Sequence, residues 1–362
     1  MTLILSNDEV EETQRLLPRF LFCIGVLFFL FPGIASAQAH FYQGKTITII
    51  QGRSAGGTGD MYVRSVMPFL QKYIPGNPSI VPEYMPGGGG RKLANHIYGS
   101  ARPDGLTIGA GPGGIIASGV LGEVGTKYDL QRFIYLGSTY SVAHPLFLTR
   151  KAAGFSSLEK LRAATGIRIG GESVGFTTYN EARIFAYVLG LKEPRFVVGY
   201  SGQEADLAFI QGEVDTRTTL IATLLTRNRD WIEKDLVDFH AVIEVPKGEK
   251  HPQFPHLLDL ETFAKSDRER KLIGMQRAFR LVGAPFFLPP GTPADRVGIL
   301  REAMRKTFRD PEFHAQHKKL VGAEPTPLSG EAQEKALREL LREGEVVELM
   351  KKMVGPEPLP AR

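Results

Sequence analysis

The 362 residues hold one cysteine, Cys23, and it lies inside the only long apolar run, FLFCIGVLFFLFPGIASA. Beyond that run the chain has no thiol, which excludes disulfides, cysteine nucleophiles and thiolate metal sites together. No second run is long enough to span a bilayer, and there is no internal repeat or low-complexity tract. Lys and Arg form no cluster and no aromatic platform accompanies them, so nucleic acid is not an expected partner. Arg15 and Arg19 precede the apolar run, and Ala35-Ser36-Ala37 supplies an A-x-A cleavage site before Gln38. Phe20 to Ile34 falls about five residues short of the ~20 that cross a membrane. Residues 1–37 therefore read as a removed secretory signal, and Phe22 before Cys23 is too bulky for a lipoprotein site. Removing them takes two arginines from 44 basic residues and four acids from 39, which raises the net charge from +5 to +7. A moderately basic surface of this kind suits anionic solutes.

With 43% hydrophobic and 23% charged residues, the remainder has ordinary globular composition and enough length for two domains. Lys45 to Tyr73 organises it. Thr46, Ile47, Thr48, Ile49 and Ile50 favour a strand, and Gly52, Gly56, Gly57 and Gly59 supply positive φ and close backbone approach. Asp60 is expected to cap a helix whose apolar face carries Tyr62, Val63, Val66, Met67 and Leu70. A glycine-rich loop ending at a helix N-terminus aims backbone N–H groups outward with the helix dipole behind them, which makes an anion cradle.

Strands and helices then alternate: SIVPEYM, a helix over Arg91 to Tyr98, and LTIGAG. From Ser141 a second unit repeats the pattern, with strands at PLFLT, IRIGG, RFVVGY and FHAVIEV. Its helices are expected over Leu158 to Ala164, Tyr179 to Leu189 and Glu204 to Gln211. Such alternation predicts α/β lobes built on mainly parallel sheets. Lys247 to Asp267 has too many breakers for a regular element and reads as a surface excursion. Helices over Asp295 to Arg309 and Gly330 to Lys352 are expected to cover the first domain.

Five stretches in this order resemble the periplasmic receptors of the tripartite tricarboxylate transporter family, the Bug-type solute-binding proteins. They are SAGGTGD (Ser54 to Asp60), MPGGGGRKLANHIY (Met85 to Tyr98), RPDGLTIGAG (Arg102 to Gly111), YSGQEADLAFIQGEVD (Tyr200 to Asp215) and LPPGTPADRV (Leu288 to Val297). The resemblance implies a two-lobed Venus-flytrap fold with residues 38–140 plus 285–362 in lobe 1 and 141–284 in lobe 2. Two crossings, near Ser138 to Pro145 and Arg280 to Leu288, join the lobes. It further implies a monomeric periplasmic receptor without cofactor or catalysis, which traps a small carboxylate and hands it to integral-membrane transporter subunits. The first-lobe loop of such receptors maps onto Ser54, Ala55, Gly56, Gly57, Thr58 and Asp60. The opposing loop, GGESVGFTT, contributes Ser173, Gly175, Thr177 and Thr178, whose hydroxyls either bond the anion or serve as caps and turns. Arg53 stands where many relatives carry an aromatic residue. It either pairs with a carboxylate through its planar fork or points to water. Arg217 either faces the cleft or joins a buried ion pair.

Three other chemistries compete. Gly171-Glu172-Ser173-Val174-Gly175 fits the G-x-S-x-G nucleophile elbow of a secreted serine hydrolase, with Asp215 and His240 downstream. Those two sit in expected strands rather than on loops, and no HGGG-type oxyanion loop is evident. Gly109, Gly111 and Gly114 fit G-x-G-x-x-G with Asp129 beyond, but no convincing helix follows. His314 and His317 share a helix face without a third ligand, so they are expected to be solvated and no metal site is expected.

Overall fold

A computed structural model describes residues 41–340 and 344–362, so the expected signal segment, residues 1–37, lies outside the described residues. Two mixed sheets form two lobes. The first begins with β1 (Thr46–Gln51), which the β-branched run builds, followed by α1 (Thr58–Tyr73), β2 (Ser79–Tyr84) and α2 (Arg91–Gly99). β3 (Thr107–Ala110), α3 (Gly114–Leu121) and β4 (Ile134–Ser138) complete its N-terminal part. β1 lies between β2 and β3 and is parallel to both, with Thr46 opposite Ser79 and Thr48 opposite Thr107. Ile47 and Ile49 are fully buried beneath Val63, Val66 and Leu70 of α1.

The chain then passes to β5 (Pro145–Arg150). α4 (Leu158–Ala163), β6 (Arg168–Gly171), α5 (Thr177–Leu189), β7 (Arg195–Val198) and α6 (Gly202–Gln211) follow. β8 (Thr216–Leu220), α7 (Ile221–Arg227), α8 (Arg229–Glu233), β9 (Val237–Val242) and α9 (Asp267–Leu281) close the second lobe. Its sheet runs β7-β6-β8-β5-β9, with β5 antiparallel to both neighbours. β10 (Phe286–Leu288) returns to the first sheet and inserts between β3 and β4, antiparallel to both. α10 (Ala294–Arg309) and α11 (Pro311–Val321) pack on α1, while β11 (Leu328–Ser329) and α12 (Gly330–Glu339) pack on β4.

The expected α/β lobes are present, and in each mixed sheet most strands run one way, with β10 and β11 in the first and β5 in the second running against their neighbours. Three features depart from the sequence reading. The final helical stretch is two helices, α12 and α13 (Glu345–Val354), the latter starting after Gly344 at φ 104°. α13 packs chiefly on α5 and α9 of the second lobe and also meets α3 of the first. The chain thus passes between lobes three times: between Ser138 and Pro145, between Leu281 and Phe286, and between α12 and α13. Finally, residues 247–267 are not a bare surface loop, since Phe254, Leu257 and Leu260 are buried. Arg277 holds the segment by bonds to Asp259 (2.5 Å) and to Glu261. Among the described residues no helix is long and apolar enough to cross a membrane.

Candidate ligand-binding cleft

A cavity of about 430 Å³ lies between the lobes, a size suited to a small molecule. Its first-lobe wall is the loop between β1 and α1, including Arg53, Ser54, Gly57, Thr58 and Gly59. Of the four loop glycines only Gly56 is left-handed, at φ 79°. Gly59 is required for space instead: a Cβ there would lie 2.8 Å from Cδ of Arg53, whose side chain folds over it. Asp60 does not cap α1, because Gly57 occupies that position. Its buried carboxylate braces the loop, accepting from Gly56 N (2.9 Å), Gln51 Nε2 (2.7 Å), Arg64 Nε (2.9 Å) and the Tyr84 hydroxyl (3.0 Å). Burial opposes its ionisation, yet these donors outweigh burial and hold the carboxyl below its usual range. With Asp60 so occupied, the N–H groups of Gly57, Thr58 and Gly59 find no acceptor among the described residues. They are left at the cavity wall at the positive end of α1.

The second-lobe wall adds two more helix starts. Thr177 and Thr178 open α5, which has no side-chain cap, and Ser201 and Gly202 open α6. The Thr177 hydroxyl is buried without a hydrogen-bond partner. Three helix N-termini therefore converge on one cavity, an arrangement that favours an anion.

Arg53, Arg217, Arg227 and Arg280 also line it. Arg280, near the C-terminal end of α9, is bound by Glu181 through Nε (2.5 Å) and Nη2 (2.6 Å). Arg217 and Arg227 share the Asp206 carboxylate. Arg53 has no ion pair among the described residues, and its buried Nε has no hydrogen-bond partner. Burial lowers its proton affinity. Tyr62 and Tyr140, with ring centroids 4.6 Å apart and planes tilted by 34°, stand beside it and line the cavity.

The lobes meet around this space. Gln203 donates to the Gly56 carbonyl (2.9 Å), the Thr223 hydroxyl to Thr58 Oγ1 (3.0 Å), and Arg227 Nη1 to the same hydroxyl (3.4 Å). On the far rim Gly89 N donates to Ser173 Oγ (3.3 Å). There the Gly175 carbonyl packs against Gly89 and Gly114 so closely that a Cβ on either would lie 2.4 Å from it.

The sequence-derived residues accordingly divide. Arg53, Ser54, Gly57, Thr58, Ser173, Thr177, Thr178 and Arg217 line the cavity. Asp60 braces the loop, Gly56 accepts from Gln203 and Gly175 forms the rim; these three and Ala55 are not among the lining residues. Arg217 realises both readings at once, lining the cavity while ion-paired. Tyr62, Tyr140, Glu172, Phe176, Arg227 and Arg280 were not singled out from sequence.

The competing chemistries lack their geometry. Ser173 Oγ is bonded to Gly89 N, His240 Nε2 to Thr149 Oγ1 (2.7 Å), and Asp215 is paired with Arg168 (2.6 Å), so no triad is assembled. A helix, α3, does follow the third glycine of G-x-G-x-x-G, contrary to the sequence reading, but Gly114 at its start is covered by the Gly175 carbonyl. His317 is buried against Ser65 Oγ (2.9 Å) rather than solvated. No group of three or more potential metal ligands occurs among the described residues. A larger crevice of about 940 Å³ runs between α5 and the tail 356–362. Its buried guanidinium, Arg183, is met by the carbonyls of Met353 (2.8 Å), Lys352 (3.0 Å) and Glu357 (2.5 Å), so its donors are already occupied.

Two α/β lobes of this kind are a fold shared with periplasmic binding proteins. The periplasmic binding protein BugD has this fold, with a TM-score of 0.66 at 18% identity, over 86% of this chain and 98% of that one. MatC from Rhodopseudomonas palustris with bound malate gives 0.64 at 18%, over 86% and 99%. An R. palustris protein with adipate gives 0.65 at 17%, over 85% and 96%. The likeness to tripartite tricarboxylate-type receptors expected from the motifs therefore holds at the level of fold. No protein-family model and no curated protein matches the chain.

Proposed function

We propose that this protein is a periplasmic solute-binding receptor that captures a small organic acid between its lobes and delivers it, as a monomer, to a tripartite tricarboxylate-type membrane transporter. The observation that carries this reading is Arg53: a guanidinium in no ion pair among the described residues, beside free N–H groups at a helix start, in a cavity between two lobes. A carboxylate supplies both the missing charge and the missing acceptors. Malate in MatC and adipate in the second R. palustris protein accord with this ligand class. The two crossings after Ser138 and Leu281 serve as the hinge, and contacts such as Gln203 to Gly56 form on closure. No nucleophile is held against a base at the site, which supports binding without catalysis.

A thermal-shift panel of mono-, di- and tricarboxylates and aromatic acids tests the reading. An acid that binds the closed form is expected to stabilise it by about 2.7 kcal/mol at a hundredfold excess over its Kd. If no acid moves the melting curve while an ester is hydrolysed in a Ser173-dependent manner, the receptor reading fails.

A further inference from the structure

The two walls of the cleft are unequal in charge. The first-lobe wall presents Arg53 unpaired. On the second-lobe wall all three guanidinia are already engaged, Arg217 and Arg227 by Asp206 and Arg280 by Glu181, and Arg227 also reaches across to Thr58. Two carboxylates line that same wall. Glu204 is engaged at the start of α6, where it accepts from Ser201 N (2.7 Å). Glu172, directly after β6, accepts the Thr178 hydroxyl on Oε2 and forms no ion pair among the described residues. Arg227 lies within electrostatic reach of Glu172 but stays on Asp206. A carboxylate shut into a closing cleft needs a cation or further donors to offset its lost hydration. The wall has no spare cation for it, and none for a second ligand carboxylate.

We propose that Glu172 is a specificity-determining residue: the preferred ligand carries one carboxylate, held on the Arg53 side, and an ammonium group that pairs with Glu172. The second carboxylate of a plain diacid would face a like charge there and is selected against. This inference rests on the carboxylate reading of the cleft and narrows it to amino acids whose amine and acid ends are separated by a short chain.

Matched acids differing only at the far end test it: γ-aminobutyrate against glutarate, and δ-aminovalerate against adipate, titrated calorimetrically into the wild type and Glu172→Gln. The wild type is expected to bind each amino acid roughly tenfold or more tighter than its diacid, about 1.4 kcal/mol for each factor of ten. Glu172→Gln, of the same shape, is expected to erase or reverse that ratio. Equal or tighter binding of the diacids by the wild type, or a ratio unchanged in Glu172→Gln, overturns the inference. If the diacids bind best and Arg53→Gln weakens them, the cleft still takes carboxylates and only the role of Glu172 falls. If neither series binds either protein, the role of Glu172 falls, and the carboxylate reading is decided by the wider thermal-shift panel.

Discussion

Glu181→Ala is expected to destabilise the protein by about 3 to 5 kcal/mol. Glu181 is 0% exposed and Arg280 5%, so the two-pronged pair between them is shut away from water. Gln276 donates to the same carboxylate at 3.0 Å, which completes the network. Burial alone would weaken the hold of Arg280 on its proton, but the Glu181 charge and hydrogen bonds outweigh it and push the guanidinium pKa up. Without Glu181 the guanidinium stays buried with no counter-charge, and that uncompensated charge, rather than the lost contacts, sets the size of the effect. Because Arg280 stands at the last turn of α9 before the second crossing and lines the cavity, ligand affinity is expected to fall as well. Denaturant titration followed by circular dichroism measures the loss. Replacing both partners, Glu181→Gln with Arg280→Met, is expected to recover part of it. A loss below about 1 kcal/mol in the single variant, the scale of an exposed pair, would show that the buried pair does not carry this weight.

Arg53→Gln is expected to weaken acid binding by roughly tenfold to a hundredfold. A charge-assisted hydrogen bond contributes about 1.5 to 3 kcal/mol, and each 1.4 kcal/mol is a factor of ten. The structure favours the upper part of this range, because the nearby Asp60 carboxylate is bonded to other donors and leaves the Arg53 fork free, and Arg53 stands beside Tyr62 and Tyr140 in partly desolvated surroundings. Lysine at this position is expected to restore only part of the affinity, since a point charge lacks the planar fork. Competition binding with a fluorescent acid, run on the three proteins side by side, ranks them. Equal affinities would remove Arg53 from the site.

The contrast between these two arginines shows what could be read from sequence. Arg53 stood out because it interrupts a short glycine-rich loop between a β-branched strand and an amphipathic helix, and such local signals fix local structure. The same applies to β1, α1 and the breaks in pattern at the crossings. Arg280, Arg227 and Glu172 carry no comparable signal. Their place in the cavity depends on how α9, α7 and the end of β6 converge from distant parts of the chain. The antiparallel insertion of three-residue β10 between β3 and β4 was equally invisible, because its partners are more than a hundred residues away in sequence. α3 escaped notice because GIIASGVL is apolar all round and has no helical periodicity, as befits a helix buried on nearly every side. Nothing in the i,i+3 spacing of His314 and His317 tells which of the two turns inward, whereas in the fold the His317 ring packs at a tilt against Tyr62 and Phe313.

The central claim, that a small acid occupies the cleft between the lobes, is tested most directly by filling that cleft. Gly113 lines the cavity with ordinary helical backbone, and a Cβ there would point at the Thr177 hydroxyl, 3.4 Å away, on the opposite lobe. Calorimetric titration of the acid with the largest thermal shift into the wild type and into Gly113→Trp sets the two against each other. One acid per chain is expected in the wild type and no saturable heat in Gly113→Trp, with the variant still folded by circular dichroism. The same affinity in both proteins would place the ligand elsewhere and contradict the account.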